Sequence, residues 1–116
     1  MVIGFSVDVE ETQSVPIVHV KGEIDVYTCP DLRTTLTSVI EKGHKKFILD
    51  LGQIQYIDST GLGTIAHTAR SIEEKNGQIL VVCNKHQIKK IFEVSGLEKK
   101  NITLFDSETD ALKELG

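Results

Sequence analysis

Cysteine is scarce in this chain. Cys29 and Cys83 lie far apart and form no C-x-x-C pair, which excludes a disulfide framework and a cysteine zinc site and leaves two buried or half-buried thiols. The four histidines, His19, His44, His67 and His86, fall in four different elements without ligand spacing, so no metal and no cofactor is assigned. No apolar run approaches the ~20 residues of a membrane span. Met1 to Phe5 starts no basic-then-apolar leader, and the expected location is the cytoplasm, away from membranes. Basic residues number 13 against 17 acidic ones, for a net charge of −4, and Lys45-Lys46, Lys89-Lys90 and Lys99-Lys100 are scattered. Direct nucleic-acid binding wants a concentrated positive surface, and none is written here. Fixed-period repeats, low-complexity tracts and long linkers are also missing. What remains is a chain of 116 residues, 40% hydrophobic and 26% charged, which predicts one domain over residues 1–116 with a core of its own.

Val2, Phe5, Val7 and Val9 alternate with polar residues and predict a strand within 2–12. Thr12 to Val15 turns the chain, and Ile17 to Lys21 is a second strand that Gly22 ends, so the two form a hairpin. Gly22-Glu23-Ile24-Asp25 reads as a glycine-initiated acidic loop. Thr28 then caps a helix with Pro30 and Asp31 in its first turn, Leu32, Leu36, Val39 and Ile40 on its apolar face and Gly43 at its end. Lys46 to Leu51 is a buried strand, and Gln78 to Cys83 is an apolar run suited to a strand covered on both faces. Asn84 caps a third helix with Ile88, Ile91 and Phe92 inward and Gly96 at its end. Ile102 to Phe105 is a last short strand, and Ser107-Glu108-Thr109-Asp110 is a capping box for a final helix bearing Ala111, Leu112 and Leu115. The order β-β-α-β-α-β-α-β-α predicts an α/β fold: a mixed, largely parallel sheet with an N-terminal β-hairpin and about four helices packed on it.

The chain turns most sharply at Tyr56-Ile57-Asp58-Ser59-Thr60-Gly61-Leu62-Gly63. Ile54 and Ile57 carry the apolar strand pattern up to Asp58, after which Leu62, Ile65, Ala66, Ala69 and Ile72 recur at helical spacing, with Thr64, His67, Thr68, Arg70 and Ser71 on the other faces. Asp58 and Ser59 therefore sit at a helix N-terminus, at the carboxyl end of a parallel strand, where sites form in such sheets. The unpartnered N–H groups of a first turn stabilise carboxylate, hydroxyl or phosphate oxygens. Gly61 and Gly63 let a bulky group or another backbone come close. On these residues alone, Asp58 or Ser59 can equally be a plain N-cap.

The catalytic readings of this corner fail on spacing. A hydrolase elbow reads G-x-S-x-G, but position 57 is Ile, and periodicity places His67 about two turns down the helix on its solvent side. No phosphate-loop lysine follows Gly61-Leu62-Gly63. A receiver domain with Asp58 as phosphoacceptor wants an acidic pair after a first parallel strand, whereas Glu10-Glu11 precede a hairpin. No catalytic residue is assigned.

Gly22-Glu23-Ile24-Asp25-Val26-Tyr27 together with Ile57-Asp58-Ser59-Thr60-Gly61-Leu62-Gly63 resembles the bacterial anti-sigma factor antagonists, single STAS domains, over essentially the whole chain. The resemblance implies a binding protein that is not an enzyme. It captures an anti-sigma factor that is also a serine kinase, is phosphorylated by it at the residue matching Ser59, and is reset by a serine phosphatase. It also implies a partner-binding surface of Gly22, Glu23, Asp25, Asp58, Ser59, Thr60 and Gly61. Thr60 offers a second hydroxyl that the chemistry of the corner does not separate from Ser59. A constitutive STAS-type binding subunit of a transport or signalling complex, with Ser59 only a cap, is the alternative.

Overall fold

Half-polar strands and a tight turn begin the fold. Ser6–Glu10 (β1) pairs antiparallel with Ile17–Ile24 (β2), and between them the Thr12 hydroxyl donates to the Val15 carbonyl at 2.6 Å and accepts from the Val15 N–H. A helix and three strand–helix units follow: Cys29–Glu41 (α1), then Lys46–Ile57 (β3), Ser59–Glu73 (α2), Gln78–Val82 (β4), His86–Ser95 (α3), Ile102–Phe105 (β5) and Glu108–Leu115 (α4). This computed structural model describes residues 4–98 and 101–115. Met1 and Val2 of the predicted N-terminal stretch, and the Lys99-Lys100 pair, lie outside them.

The five strands stand in chain order, β1-β2-β3-β4-β5, with every pair after the hairpin parallel. Right-handed crossovers all stepping in the same direction place their helices on one face. The buried side chains agree: Leu32, Leu36 and Val39 of α1, Ile65, Ala69 and Ile72 of α2, and Ile88 and Phe92 of α3 share one core with Val18, Val20, Leu49 and Val81. The other face carries a smaller core of Ile17, Ile48, Leu80 and Val82 under Ala111 of α4. The run Ile79–Val82 is buried throughout because both faces of β4 are covered.

Three predicted boundaries move. β2 does not end at Gly22 but runs through it to Ile24, and β3 does not stop at Leu51 but continues to Ile57. Both extensions pass through irregular pairing. From His19 to Lys21, β3 advances from Asp50 to Gln53, and from Gly22 to Glu23 it advances from Ile54 to Tyr56. Each step inserts an extra residue into β3. Leu51, Ile54 and Ile57 therefore all point inward despite a spacing of three, which conceals the strand from a period-two pattern. Gly22 has φ +94°, and a Cβ there would lie 2.5 Å from the Gly4 carbonyl oxygen, so the strand continues only because the residue is glycine. Lastly, the residue before α3 is Lys85 rather than Asn84, and its side chain makes no cap hydrogen bond.

α2 is rotated from its predicted face. Thr64 and Thr68 are buried, whereas Leu62 and Ala66 are only half-buried, because α2 packs against α1 as well as the sheet. The two hydroxyls are satisfied within the helix, donating to the Thr60 carbonyl at 3.0 Å and the Thr64 carbonyl at 2.8 Å. The hydroxyl of Thr28 does not cap α1; it donates to the Glu23 carbonyl at 2.8 Å and accepts from the Asp25 N–H at 2.9 Å.

Candidate functional site

β4 pairs with β3 only as far as Asp50, so beyond that residue β3 is flanked by β2 alone. The resulting two-stranded end carries the predicted corner outward. Lys85 supports it, its ammonium donating to the Ile54 carbonyl at 2.7 Å.

At the corner the ambiguity over capping is resolved. Asp58 is the N-cap of α2, in extended conformation with φ −101° and ψ −177°, and its carboxylate accepts from the Gly61 N–H at 3.0 Å. Ser59 is the first helical residue and Thr60 the second; both are exposed. Among the described residues the Ser59 hydroxyl has no hydrogen-bond partner. Gly61 is buried, and a Cβ on it would lie 2.6 Å from Ile24 Cγ2 and 2.8 Å from Ile57 Cγ1. It is the residue that lets α2 start directly on the ends of β2 and β3. Gly63 differs: nothing lies within 4 Å of where its Cβ would be, so its side of the helix is open rather than closely approached.

The upstream motif lies against this corner. The Asp58 N–H donates to the Ile24 carbonyl at 3.1 Å. Glu23 is exposed at the end of β2, and Asp25 is half-buried, its Oδ1 accepting from the N–H groups of Tyr27 at 2.9 Å and Thr28 at 3.1 Å. Gly22 supplies the strand kink. Of the predicted surface residues, Glu23, Ser59 and Thr60 present their side chains outward, Asp25 and Asp58 hold the two turns, and Gly22 and Gly61 are structural.

Sequence reasoning missed two components. One is a set of exposed hydrophobic side chains beside the corner: Tyr27 is 78% exposed, Val26 59% and Tyr56 49%. Their signal was available, because a non-alternating Val-Tyr pair in a polar turn has no core to enter. The other is an open groove between α1 and α2, about 630 Å³, lined by Ser59, Thr60, Gly63, His67 and, from α1, Arg33 and Thr37 among others. Arg33 places a permanent cation in the groove that Ser59 borders. Cys29 lies beneath, near Thr64 at 3.7 Å, and burial pushes its thiol up, as it does that of Cys83. Neither is an activated nucleophile.

The corner thus brings together two strand ends, a capped helix start, exposed aromatic side chains and a serine hydroxyl with no hydrogen-bond partner among the described residues. Comparison with known proteins shows the family. The STAS domain family model matches residues 6–111. The chain is 33% identical to an anti-sigma-B factor antagonist of Staphylococcus aureus, over 70% of this chain and 75% of the relative. It is 31% identical to that of Bacillus subtilis, over 83% and 87%. The crystal structure of an anti-sigma factor antagonist from Mycobacterium paratuberculosis superposes with a TM-score of 0.87 at 27% identity, covering 96% of this chain and 93% of that one. The chain belongs to the anti-sigma factor antagonists, within the STAS domain family. No helix among the described residues is long and apolar enough to cross a membrane.

Proposed function

We propose that the protein is a partner-switching anti-sigma factor antagonist of the cytoplasm, in which the state of Ser59 decides whether an anti-sigma factor is held. Unphosphorylated, the surface of Glu23, Asp25, Asp58, Ser59 and Thr60, shaped by Gly22 and Gly61, captures an anti-sigma factor that is also a serine kinase, and the sigma factor is released. The kinase transfers a phosphoryl group to Ser59, the complex dissociates, and a serine phosphatase restores the hydroxyl. The protein is substrate in both reactions and catalyst in neither.

One observation carries this reading: Ser59 stands exposed at the first turn of α2 with no hydrogen-bond partner among the described residues, because Asp58 does the capping. Phosphorylation adds close to two negative charges at pH 7. The helix N-terminus and the Arg33 side of the groove receive them within the fold, so the protein keeps its structure. A partner packed on the same surface meets added like charge beside Glu23, Asp25 and Asp58. About 3–4 kcal/mol of repulsion and desolvation lowers affinity a hundred- to thousandfold.

The test is incubation of the purified protein with Mg-ATP and the anti-sigma kinases of its own cell, followed by phosphopeptide mapping and a binding assay. Phosphate on Ser59, with loss of the complex as it accumulates, is the expected result. Phosphate on Thr60 instead would move the switch by one residue. A complex that persists in every nucleotide state, with no phosphate anywhere, would leave a constitutive STAS-type binding subunit. A Ser59→Asp variant is expected to bind at least a hundredfold more weakly than wild type.

A further inference from the structure

On the sheet face covered by α4, opposite α1 and α2, three side chains of metal-binding chemistry converge from three elements. His19 of β2 and Asp50 of β3 are register partners, and Glu108 is the first residue of α4. His19 Nδ1 lies 3.6 Å from Asp50 Oδ2 and 3.5 Å from Glu108 Oε2, and the three ligand atoms all lie within 4.8 Å of one another. Nitrogen and oxygen ligands held about 2.0–2.1 Å from a tetrahedral Zn²⁺ stand about 3.3–3.4 Å apart. Two of the three edges are thus within a few tenths of an ångström of that spacing.

The second nitrogen of the same ring distinguishes this cluster from a chance gathering of surface acids. His19 Nε2 lies 2.8 Å from Glu10 Oε1. An ionised carboxylate only accepts, so Nε2 carries the proton in that bond. Nδ1 is then the ring atom turned toward Asp50 Oδ2 and Glu108 Oε2. Metal-bound imidazoles are commonly held in this way, with the outer N–H given to a carboxylate. Asp50 is itself fixed, its Oδ1 accepting from the Gly52 N–H at 2.8 Å while Oδ2 faces the cluster. Among the described residues no lysine or arginine forms an ion pair with Glu10, Asp50 or Glu108. A cleft of about 300 Å³ borders His19 and Asp50 and gives water access to the remaining coordination positions.

We propose that His19, Asp50 and Glu108 bind one first-row divalent cation of the Zn²⁺ class, with Glu10 as the carboxylate that orients His19. A nitrogen in the set disfavours Mg²⁺ and Ca²⁺, which take oxygen ligands. The bound ion ties the start of α4 to β2 and β3. Asp50 precedes Asp58 by eight residues, roughly 26 Å of strand at 3.3 Å per residue, so this site is separate from the Ser59 corner and stands or falls independently of it.

Zinc chloride is titrated into the chelator-treated full chain by calorimetry, with thermal unfolding measured in parallel. One ion per chain and a rise in Tm are expected for wild type, and no binding of MgCl2 at the same concentration. His19→Ala and Asp50→Asn lose at least a hundredfold in affinity while keeping the wild-type circular dichroism without metal. Glu10→Gln, which touches no ion, loses 10- to 100-fold. His44→Ala is unchanged. Co²⁺ added to wild type gives visible bands without a thiolate charge-transfer band. Absence of 1:1 zinc binding, wild-type affinity in His19→Ala, or a cobalt–thiolate band would each overturn the proposal.

Discussion

The backbone N–H of Asp58 donates to the carbonyl of Ile24 at 3.1 Å, and this bond joins the two separate stretches of sequence that meet at the Ser59 corner. It lies where β2 and β3 end together, Ile24 opposite Ile57. The acidic turn after β2 and the serine at the start of α2 are held as one surface by paired strands rather than by contact between their own side chains.

Asp58, not Ser59, secures the helix. Asp58→Ala removes the acceptor of the Gly61 N–H and is expected to cost about 0.5–2 kcal/mol, whereas Ser59→Ala is expected to stay within about 0.5 kcal/mol of wild type. Urea denaturation of the two variants side by side checks this. A larger loss in Ser59→Ala than in Asp58→Ala would return Ser59 to a capping role and remove the observation on which the switch rests.

Gly61→Ala tests the close approach that lets α2 begin at the strand ends. The new methyl would lie 2.6 Å from Ile24 and 2.8 Å from Ile57, both fully packed core residues. Overpacking of this kind costs about 1–3 kcal/mol, read as a lower urea midpoint with an unchanged slope. Gly63→Ala, in open space, is expected to be neutral or slightly stabilising, because alanine is the better helix former.

The order of elements was legible because each helix had its own period and its own stop signal, such as Gly43 and Gly96. The strand ends were not. Extra residues in β3 put Leu51, Ile54 and Ile57 on one face, and a pattern of threes does not look like a strand. Gly22 ordinarily ends one, yet here its positive φ carries the strand onward. The strand-to-helix corner was readable, since strand, acid, hydroxyl and glycine are adjacent in the chain, but which of Asp58 and Ser59 caps α2, and that Gly63 faces open space, was not. The groove beside it needs α1 and α2 to be packed together, and the His19, Asp50 and Glu108 cluster needs three elements, so no spacing within one segment reveals either.

Glu108 gives the metal-free protein a pH dependence. Its hydrogen bond with Asp50, then burial, then the Asp50 charge raise its pKa from 4.5 to about 7. The unfolded chain releases that proton near the ordinary value, so between about pH 4.5 and 7 the folded state binds more protons and stability falls as pH rises. The side chain is 34% exposed, and after discounting for solvent screening the loss is about 1 kcal/mol. In the presence of a chelator, the Tm of wild type is expected to drop between pH 5 and 8 by several degrees more than that of Glu108→Gln. Parallel profiles for the two proteins would show that the two carboxylates do not share a proton.

Tyr27 tests the proposed capture surface with little consequence for the fold. It is 78% exposed on the turn that Asp25 closes by accepting from its N–H at 2.9 Å, so truncating the ring leaves that bond in place. A tyrosine removed from solvent at the centre of an interface commonly contributes 2 kcal/mol or more, about thirtyfold in affinity. Tyr27→Ala is therefore expected to weaken capture of the anti-sigma factor at least thirtyfold with a stability change within about 0.5 kcal/mol. Tyr56→Ala, at 49% exposure on β3 opposite Glu23, is expected to act in the same direction and less strongly, since less of its ring is available to a partner. Calorimetric titration against the unphosphorylated protein measures both. Undiminished binding in Tyr27→Ala would place the interface on the groove side of α2, toward Arg33 and His67, instead of on the turn that follows β2.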